Sequence, residues 1–525
     1  MPLCGRVLPG WRPKWPRPFA RMEDTVTGNH VDVLIIGAGL SGIAAGCHLQ
    51  DKCPRRGFAI LEARDAIGGT WDLFRYPGMR SDSDMFTLGY SFRPWTGIKS
   101  IADGPSILKY IRETAREHGI DRKIHFQHRM LSASWSSSEL RWTIEVERGA
   151  AAERTRFTCD FLLLCSGYYS YAAGYTPRFP GSDRFKGRIV HPQTWTDDID
   201  YARRRVVVIG SGATAVTLAP ELAKSAAEVT ILQRSPSYVI AWPDEDAIAN
   251  ALRRWLPAGA VAGITRWKNV LAGMYFYRIC KRDPQRAREM LLTGVRAELG
   301  ADYEIAPNFS PRYNPWDQRL CLAPNGDLFK AIKAGRLSLI TDEIETFSET
   351  GIRLRSGREL EADLVVTATG LNLEVLGGAE IVIDGRRVDP AATVSYKGVL
   401  YSDVPNLASV LGYTNASWTL KADLACGYIC RLLNYMQRRG YRQCTPRITD
   451  PALERLPPVD FSSGYFQRSI DKLPRQGARP PWRIHQNYLA DVLALRLSGF
   501  HDGVLEFTHG AGAAAPFLIE GAGAR

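Results

Sequence analysis

The stretch VDVLIIGAGLSGIAAGCHLQDKCPRRGFAILE, from Val31 to Glu62, decides the fold. It opens with a continuous apolar run, Val31 to Ile36, of the kind found in a parallel strand that is buried on both faces. The glycine motif GAGLSG (Gly37 to Gly42) follows, and then come a helix-like run (Ile43 to Gln50) and a second apolar run (Phe58 to Leu61). Strand, G-x-G-x-x-G, helix and strand in this order predict a Rossmann-type dinucleotide-binding unit.

Each glycine of this motif has a separate task. Gly37 makes the tight turn, Gly39 lets the backbone approach a pyrophosphate, and Gly42 lets the helix pack on the strand. The start of the helix, around Ser41, presents free N–H groups and the positive end of a dipole to the phosphates. Glu62 lies 20 residues after Gly42, at the strand tip where a carboxylate accepts hydrogen bonds from ribose hydroxyls. The unit therefore suits a dinucleotide with a free ribose, FAD or NAD.

The same order of elements begins again with the apolar run Arg205 to Ile209. A second glycine motif, a helix-like run (Val216 to Lys224) and a further apolar run (Glu228 to Leu232) follow it. Alanine takes the place of the third glycine here, which is a tolerated variant. The motif consists of Gly210, Ser211, Gly212, Ala213, Thr214 and Ala215. The sequence therefore predicts a second dinucleotide-binding unit.

The two units differ at the tip of the second strand. Where the first unit has Glu62, the second has Gln233 and Arg234. A carboxylate repels a ribose 2′-phosphate, whereas a guanidinium can bind it through two parallel hydrogen bonds. The sequence therefore predicts FAD in the first unit and NADPH in the second, and two such sites imply hydride transfer from nicotinamide to flavin.

A third apolar run, Ala362 to Gly370, also ends in a small-residue turn and indicates that the chain returns to the first domain. The expected fold class is α/β, with two Rossmann-type dinucleotide-binding domains (FAD and NADPH), the second inserted in the first, and a helical insert. The expected parts are a disordered N-terminal extension (1–30), the FAD-binding domain (31–185 and 363–510), the NADPH-binding domain (186–362) with a helical insert at about 244–300, and a flexible C-terminal tail (511–525).

Residues 244–300 combine apolar and basic residues in helix-like runs. Three arrangements are open: helices that face the core, an insert over the active site, or a patch on a membrane surface. We expect the core-facing arrangement. The apolar residues concerned are Leu252, Trp255, Leu256, Ile264, Trp267, Leu271 and Phe276.

The composition excludes several classes of protein. A chain of 525 residues, 45% hydrophobic and 23% charged, suits a globular protein of two or three domains, and no uninterrupted apolar run reaches the ~18 residues of a membrane span. The net charge of +12 is spread along the chain and dinucleotides need local positive charge, so nucleic-acid binding is not expected.

Ten scattered cysteines fit reduced, buried thiols in the cytoplasm. His125 and His128 are expected on opposite faces of a strand, so no metal site is expected.

Between the two units, Phe185, Gly187, His191 and Trp195 match the pattern F-x-G-x-x-x-H-x-x-x-W. This pattern resembles the fingerprint of type I Baeyer–Villiger monooxygenases; related N- and S-oxygenating flavin monooxygenases usually have Tyr or Phe at its last position. Three longer runs resemble the ethionamide monooxygenase branch of that family, bacterial flavoproteins that oxygenate ketones and activate thioamide prodrugs. These runs are GGTWDLFRYPGMRSDSDMFTLGYSFRPW (Gly68 to Trp95), NPWDQRLCLAPNGDLFKAI (Asn314 to Ile332) and GYTNASWTLKADL (Gly412 to Leu424).

The resemblance implies residue roles. Arg319 matches the arginine that stabilises the flavin peroxyanion, Asp82 matches the carboxylate that orients this arginine, and His191 matches a residue that couples the domains. Gln318 stands where many members have a lysine on the 2′-phosphate, which leaves Arg234 to carry most of the NADPH preference. The implied FAD contacts are Thr70, Trp71, Asp72, Leu73, Asp82 and the backbone of Met130. The NADPH contacts we expect are Arg80, Ser81, the motif from Gly210 to Ala215, Gln233 and Arg234.

The expected function is that of an FAD-dependent, NADPH-consuming monooxygenase, which inserts one oxygen atom from O2 into ketones to give esters or lactones and also oxygenates sulfides or thioamides. Two alternatives stay open: an N- or S-oxygenating flavin monooxygenase without Baeyer–Villiger activity, and an NADPH:acceptor flavin reductase. The expected partners are a small-molecule substrate and O2, without metal or nucleic acid. The expected location is the cytoplasm; peripheral contact with a membrane and a homo-oligomer are both left open.

Overall fold

The computed structural model describes residues 29–509. The predicted C-terminal tail and all but the last two residues of the predicted N-terminal extension lie outside this range. The nine cysteines inside it are buried and unpaired, as predicted. Among the helices of residues 29–509, none combines the length and the apolar character needed to cross a membrane.

The chain up to residue 190 builds the centre of the larger sheet and ends with an edge strand of the second sheet. Its elements are β1 (His30–Ile36), α1 (Leu40–Lys52), β2 (Phe58–Leu61), α2 (Thr70–Leu73), α3 (Met85–Leu88), α4 (Gly104–Glu117), β3 (Ile124–His125), β4 (His128–Ser136), β5 (Arg141–Arg148), β6 (Glu153–Leu164), β7 (Tyr169–Gly174) and β8 (Arg188–Val190). β1 pairs in parallel with β2 and with β6, so Ile35 lies between Ile60 and Leu163. Ile35 packs in the same core as α1, whereas Leu34 packs with Trp142 on the other face. The strand is buried on both faces, as its apolar run predicts.

The chain from residue 205 to 367 builds a second sheet. Its elements are β9 (Arg205–Ile209), α5 (Ala213–Leu222), β10 (Glu228–Gln233), β11 (Val239–Trp242), α6 (Ala247–Leu252), α7 (Ala258–Arg282), α8 (Pro284–Leu299), β12 (Cys321–Pro324), α9 (Asp327–Lys333), β13 (Leu337–Thr341), β14 (Ile344–Phe347), β15 (Gly351–Leu354), β16 (Glu359–Glu361) and β17 (Leu364–Thr367). The sheet has the order β13-β10-β9-β17-β8, and every pair is parallel. The second Rossmann-type unit is confirmed.

The chain after residue 371 returns to the larger sheet and completes it. Its elements are β18 (Leu371–Leu373), β19 (Glu380–Ile383), β20 (Arg386–Arg387), β21 (Ser395–Tyr396), β22 (Leu400–Tyr401), β23 (Leu407–Ser409), α10 (Trp418–Arg439), β24 (Tyr441–Pro446), β25 (Arg455–Leu456), α11 (Gly464–Gln467), β26 (Gln476–Gly477), α12 (Tyr488–Asp491), a π-helix (Val492–Leu497) and β27 (Leu505–His509). β23 pairs in parallel with β6, and α10 packs in one core with α1. The predicted α/β fold is therefore confirmed.

The point of return differs from the prediction. We placed the strand that begins near residue 362 in the FAD-binding domain, but β17 pairs with β9 and β8 in the second sheet. The first strand to rejoin the larger sheet is β19, which pairs with β4. A short apolar parallel strand looks the same in either sheet, so its sequence does not reveal which sheet it joins.

The two histidines of the β3–β4 region were also misplaced. A continuous strand would put His125 and His128 on opposite faces, but the strand is interrupted at Gln127, which has a φ of 56°. The two rings therefore touch, with centroids 5.6 Å apart. Within residues 29–509, no group of three or more His, Cys, Asp or Glu side chains is arranged to hold a metal ion.

The prediction that the helical insert faces the core was wrong for most of its apolar residues. The inward face of α7 carries small or short side chains, such as Val261, Ala262 and Val270. Trp255, in the turn before α7, is 85% exposed, and Leu271 on α7 is 51% exposed. The other outward-facing residues of the predicted set are Leu256, Ile264 and Trp267.

Candidate active site

The first glycine loop is packed so closely on the neighbouring backbone that its turn requires glycine. Gly37 has a φ of +103°, and a Cβ there would lie 2.7 Å from the Cys165 carbonyl oxygen. A Cβ on Gly42 would lie 1.8 Å from the Gly37 carbonyl oxygen. α1 begins after Gly39 without a side-chain cap, so its first N–H groups are available to a phosphate.

Glu62 closes this loop from the tip of β2. The buried carboxylate accepts hydrogen bonds from the Ala38 N–H (2.7 Å) and the Arg64 N–H (2.9 Å). Burial raises the pKa of Glu62, and the two backbone hydrogen bonds oppose that rise. The carboxylate is thus held in one orientation at the strand end, where the ribose of a bound dinucleotide lies.

The second glycine loop repeats this geometry with more open space. Gly210 has a φ of +133°, and a Cβ there would lie 2.3 Å from the Ala368 carbonyl oxygen. A Cβ on Gly212, which precedes α5, would meet no atom of residues 29–509 within 4 Å, and α5 also begins without a side-chain cap. Arg234 is exposed just beyond β10. Gln233 is buried, and its amide nitrogen donates to the Asn308 carbonyl at 2.7 Å, so this group is engaged within the protein.

Arg319 and Asp82 form a two-point ion pair. Arg319 Nε lies 2.9 Å from Asp82 Oδ2, and Arg319 Nη2 donates to Asp82 Oδ1 at 3.1 Å. Arg319 comes just before β12, whereas Asp82 lies between α2 and α3, so the pair joins the two domains. Burial acts to lower the pKa of Arg319, but Asp82 and the neighbouring phenols of Tyr168 and Tyr465 outweigh it and raise that pKa above its ordinary value.

Three tyrosines that sequence reasoning missed lie close to Arg319: Tyr168, Tyr169 and Tyr465. The hydroxyls of Tyr168 and Tyr169 are 3.3 Å apart, and burial raises the pKa of all three phenols. Tyr168 packs against the ring of Trp418, with centroids 5.3 Å apart, and the Trp418 indole N–H donates to Ser41 Oγ at 2.8 Å. This chain of contacts connects the Arg319 region to the first glycine loop. A signal was present, because Tyr168 and Tyr169 follow the carboxyl end of β6, where ligands bind in such sheets.

The residues of the Thr70 to Leu73 turn lie beside the first loop. Thr70 Oγ1 is 3.4 Å from the hydroxyl of Tyr171. Asp72 is buried, and its carboxylate contacts Arg64 (2.7 Å) and Arg112 (2.8 Å). Its charge is therefore balanced within the protein. Trp71 and Leu73 are partly buried in the same turn.

Arg80 contacts the second domain, and Ser81 follows it in the same loop. Arg80 Nη1 lies 2.5 Å from Asp327 Oδ2. Arg80 Nη2 and Ser81 Oγ are buried and have no hydrogen-bond partner among residues 29–509, which fits a polar ligand at this loop. Met130, expected at the adenine, lies on β4 next to a break in its register with β5.

His191 links the domains through a backbone contact. Its Nε2 lies 3.0 Å from the Gly370 carbonyl oxygen, in the segment that connects the second sheet to the first. Burial lowers the pKa of His191, and the contact with Gly370 opposes this effect, so the ring is neutral at physiological pH. A Cβ on Gly174 would lie 1.9 Å from the His191 ring, so glycine is required there.

The rest of this segment is tightly packed. A Cβ on Gly187 would lie 2.4 Å from the Phe185 ring and 2.6 Å from the Asp363 carbonyl oxygen. Phe185 and Trp195 are both buried, in two different cores of the second domain. Phe185 and Trp195 thus have packing roles, and His191 contacts a backbone carbonyl. None of the three is placed here as a proton donor.

A cavity of about 830 Å³ opens between α4 and α5, next to the Arg80 loop. Arg319 and Asp82 do not line it, so the ion pair and this cavity are separate features. The lining includes Trp71, Arg75, Tyr76, Arg80, Leu108 and Glu221.

Comparisons with known proteins agree with this geometry. A family model described as NAD(P)-binding Rossmann-like domain matches residues 35–99, and one described as flavin-binding monooxygenase-like matches residues 100–250. The FAD-containing monooxygenase EthA of Mycobacterium tuberculosis is 53% identical over 479 residues, which cover 91% of this chain and 98% of EthA. The chain belongs to the FAD-containing monooxygenases. EthA of Mycolicibacterium smegmatis, another FAD-containing monooxygenase, is 52% identical over 480 residues, 91% of this chain and 97% of the relative.

Solved structures extend this assignment. A steroid monooxygenase bound to NADP, 25% identical, superposes with a TM-score of 0.67 over 79% of this chain and 87% of its own. As an FAD-containing monooxygenase, this chain uses FAD and NADPH. The two glycine loops fit these groups, because both helices start uncapped and glycine is required where a Cβ would block the turn.

Proposed function

We propose that this monooxygenase carries out Baeyer–Villiger oxidation: it inserts one oxygen atom from O2 into a ketone, gives an ester or lactone, and consumes NADPH. The two-point ion pair of Arg319 and Asp82 carries the proposal, because the contacts of Tyr168 with Trp418 and of Trp418 with Ser41 connect its surroundings to the first glycine loop. Bound FAD, once reduced by NADPH, supplies the activated oxygen. Side chains of this protein stabilise the developing charge and hold the groups in position.

Arg319 stabilises negative charge in the reaction. Its pKa is raised above an already high value, so it stays charged and does not act as an acid. It therefore stabilises the negative oxygen that develops on the ketone without protonating it. Asp82 is a positioning residue, since it fixes the plane of the guanidinium through two contacts. The ring of Tyr168, which packs against Trp418 and Phe466, lies close to the guanidinium. The Arg319 and Asp82 side chains keep 27% and 37% of their surface exposed, so the pair is open to a ligand.

The same site also suits sulfides and thioamides. Oxygen transfer to sulfur leaves behind an oxygen that must take up a proton. The phenols of Tyr168, Tyr169 and Tyr465 have raised pKa values, so they keep their own protons at neutral pH and donate hydrogen bonds to that oxygen, while the proton itself comes from solvent water. Their position around Arg319 favours S-oxygenation as a second activity of one site.

We further propose the residues that hold each dinucleotide. Glu62 and the Gly37 to Gly42 loop hold FAD, with the Thr70 to Leu73 turn beside them. The Gly210 to Ala215 loop and Arg234 hold NADPH, and Arg80 reaches it from the first domain. We place the reaction in the cytoplasm, which supplies NADPH and keeps buried cysteines reduced.

Replacing Arg319 tests the proposal. In Arg319→Ala, ester formation from a ketone should fall about 100- to 1000-fold, because one preorganised charge is lost. NADPH oxidation should continue, since hydride transfer does not use this side chain. Ester yield and incorporation of labelled oxygen are the measurements, and Arg358→Ala, an exposed arginine of the second domain, is the matched control. Undiminished ester yield would refute the role of Arg319, and NADPH use without labelled product in the unchanged enzyme would favour a reductase.

A further inference from the structure

Exposed large apolar side chains gather on one side of the helical insert. On α7, Ile264, Trp267 and Leu271 are spaced by three and four residues, so they form one stripe along the helix. The Trp267 ring contacts Tyr488, with centroids 5.8 Å apart, which places α12 and the π-helix beside this stripe. There Leu493 and Leu497 are 62% and 67% exposed. We call these five apolar residues and Trp255 the apolar face.

An exposed surface of this kind is unusual for a protein that is in contact with water alone. Scattered single apolar side chains are normal, whereas a concentration on neighbouring elements marks an interaction surface. α7 is also anchored, since the Arg266 guanidinium donates to the carbonyls of Phe86 (3.1 Å) and Gly89 (2.8 Å). The helix is therefore fixed on the protein, while its outer stripe is left largely exposed by residues 29–509.

The stretch of chain that includes α7 is strongly basic. From Ala247 to Arg282 the chain contains no Asp or Glu. Arg278 and Arg282 continue the stripe toward the end of α7, and Arg254 lies next to Trp255. All three are exposed, and no acidic side chain among residues 29–509 forms an ion pair with them. The face therefore combines tryptophan and leucine with unpaired arginine.

We propose that the apolar face docks on the surface of an anionic lipid bilayer. Leucine and tryptophan side chains insert at the boundary between headgroups and acyl chains, and the arginines contact the phosphates. A second copy of the chain fits less well. A symmetric dimer would place the arginines of both copies opposite one another, with no carboxylate of the face to neutralise them.

Docking here brings the bilayer close to the candidate active site. α7 packs on α3, which begins three residues after Asp82. Val270 of α7 packs with Leu420 in the first turn of α10 and with Tyr413 just before that helix. An apolar ketone dissolved in the membrane thus reaches the protein near α3, close to Asp82, the ion-pair partner of Arg319. This delivery role rests on the proposed function, whereas the docking does not.

Co-sedimentation with vesicles tests the docking. The FAD-loaded enzyme is mixed with vesicles of equal parts phosphatidylglycerol and phosphatidylcholine, or of phosphatidylcholine alone. We expect binding to the anionic vesicles that weakens with added salt. Trp255→Ser/Leu497→Ser should bind at least about tenfold more weakly, because two exposed apolar side chains no longer insert. Arg254→Gln/Arg278→Gln/Arg282→Gln should lose at least about tenfold as well.

The control variant Lys333→Gln/Arg336→Gln/Arg358→Gln removes three exposed charges from the second domain and should bind as the unchanged enzyme does. Flavin absorbance and turnover of a short, water-soluble ketone report that every variant is folded. Absence of binding to anionic vesicles, or equal loss in the control variant, overturns the proposal. Concentration-dependent dimers that Trp255→Ser/Leu497→Ser abolishes would instead assign the face to a second copy. If the enzyme binds vesicles but forms no ester, the proposed function is refuted and the docking proposal still holds.

Discussion

The two glycine loops have the same turn but differ in how closely the protein surrounds them. Gly37 and Gly210 both have positive φ, and a Cβ on either would meet a carbonyl oxygen of the neighbouring strand end. At the third motif position the first loop needs Gly42, while the second already has Ala215. The first loop is thus the tighter one. This difference suits a group that stays bound in the first loop and a co-substrate that leaves the second after each turnover.

The largest expected effect is the loss of flavin when one glycine of the first loop becomes alanine. A glycine of the second loop, replaced in the same way, serves as the comparison. Gly42→Ala places a Cβ 1.8 Å from the Gly37 carbonyl oxygen, so the protein should be purified without flavin and unfold at a lower temperature. Gly212→Ala meets nothing within 4 Å and should keep its flavin, with only a raised KM for NADPH. Flavin absorbance and thermal unfolding distinguish the two. Equal flavin loss in both variants would contradict the difference in tightness.

An intermediate effect is expected at the tip of β10. Arg234→Ala removes the proposed partner of the 2′-phosphate, and a charge-assisted, two-point contact contributes about 1.5–3 kcal/mol. The KM for NADPH should therefore rise about 10- to 100-fold, while the KM for NADH stays the same. Steady-state kinetics with both nucleotides provide the measurement. A parallel rise for NADH would show that Arg234 acts on the loop as a whole.

A smaller effect is expected at the tip of β2. Burial raises the pKa of Glu62, so on acidification its carboxylate takes up a proton above the ordinary range of a glutamate. Ribose hydroxyls donate to the charged form, so FAD binding should weaken as the pH falls through that pKa. Glu62→Gln should bind FAD severalfold more weakly at neutral pH and lose this pH dependence. Titration of apoprotein with FAD at several pH values is the measurement, and an unchanged pH profile in Glu62→Gln would remove Glu62 from the ribose site.

The parts of the fold that sequence could predict are those with a local cause. The turn at Gly37, the uncapped helix starts and the charge difference between Glu62 and Arg234 all follow from neighbouring residues. The pairing of Arg319 with Asp82, residues far apart in sequence, came only from the resemblance to a known family, and the structure brings the two together.

Other features depend on tertiary contacts that a sequence does not show. β17 has the composition of any buried parallel strand, and its sheet is decided by pairing with β9. The apolar residues of α7 surround the helix, so their spacing did not reveal which side the protein leaves exposed. Tyr465 reaches Arg319 from a segment without any motif, and only the folded chain identifies it as a neighbour.

The contact between Trp418 and Ser41 has a consequence for synthesis on the ribosome. The loop that carries Ser41 is made early, but the indole that contacts it and the strand β23 that completes its sheet come more than 360 residues later. The second domain, in contrast, has all of its strands by residue 367. A nascent chain can therefore finish its NADPH half first, and it acquires its yellow colour only when translation is nearly complete.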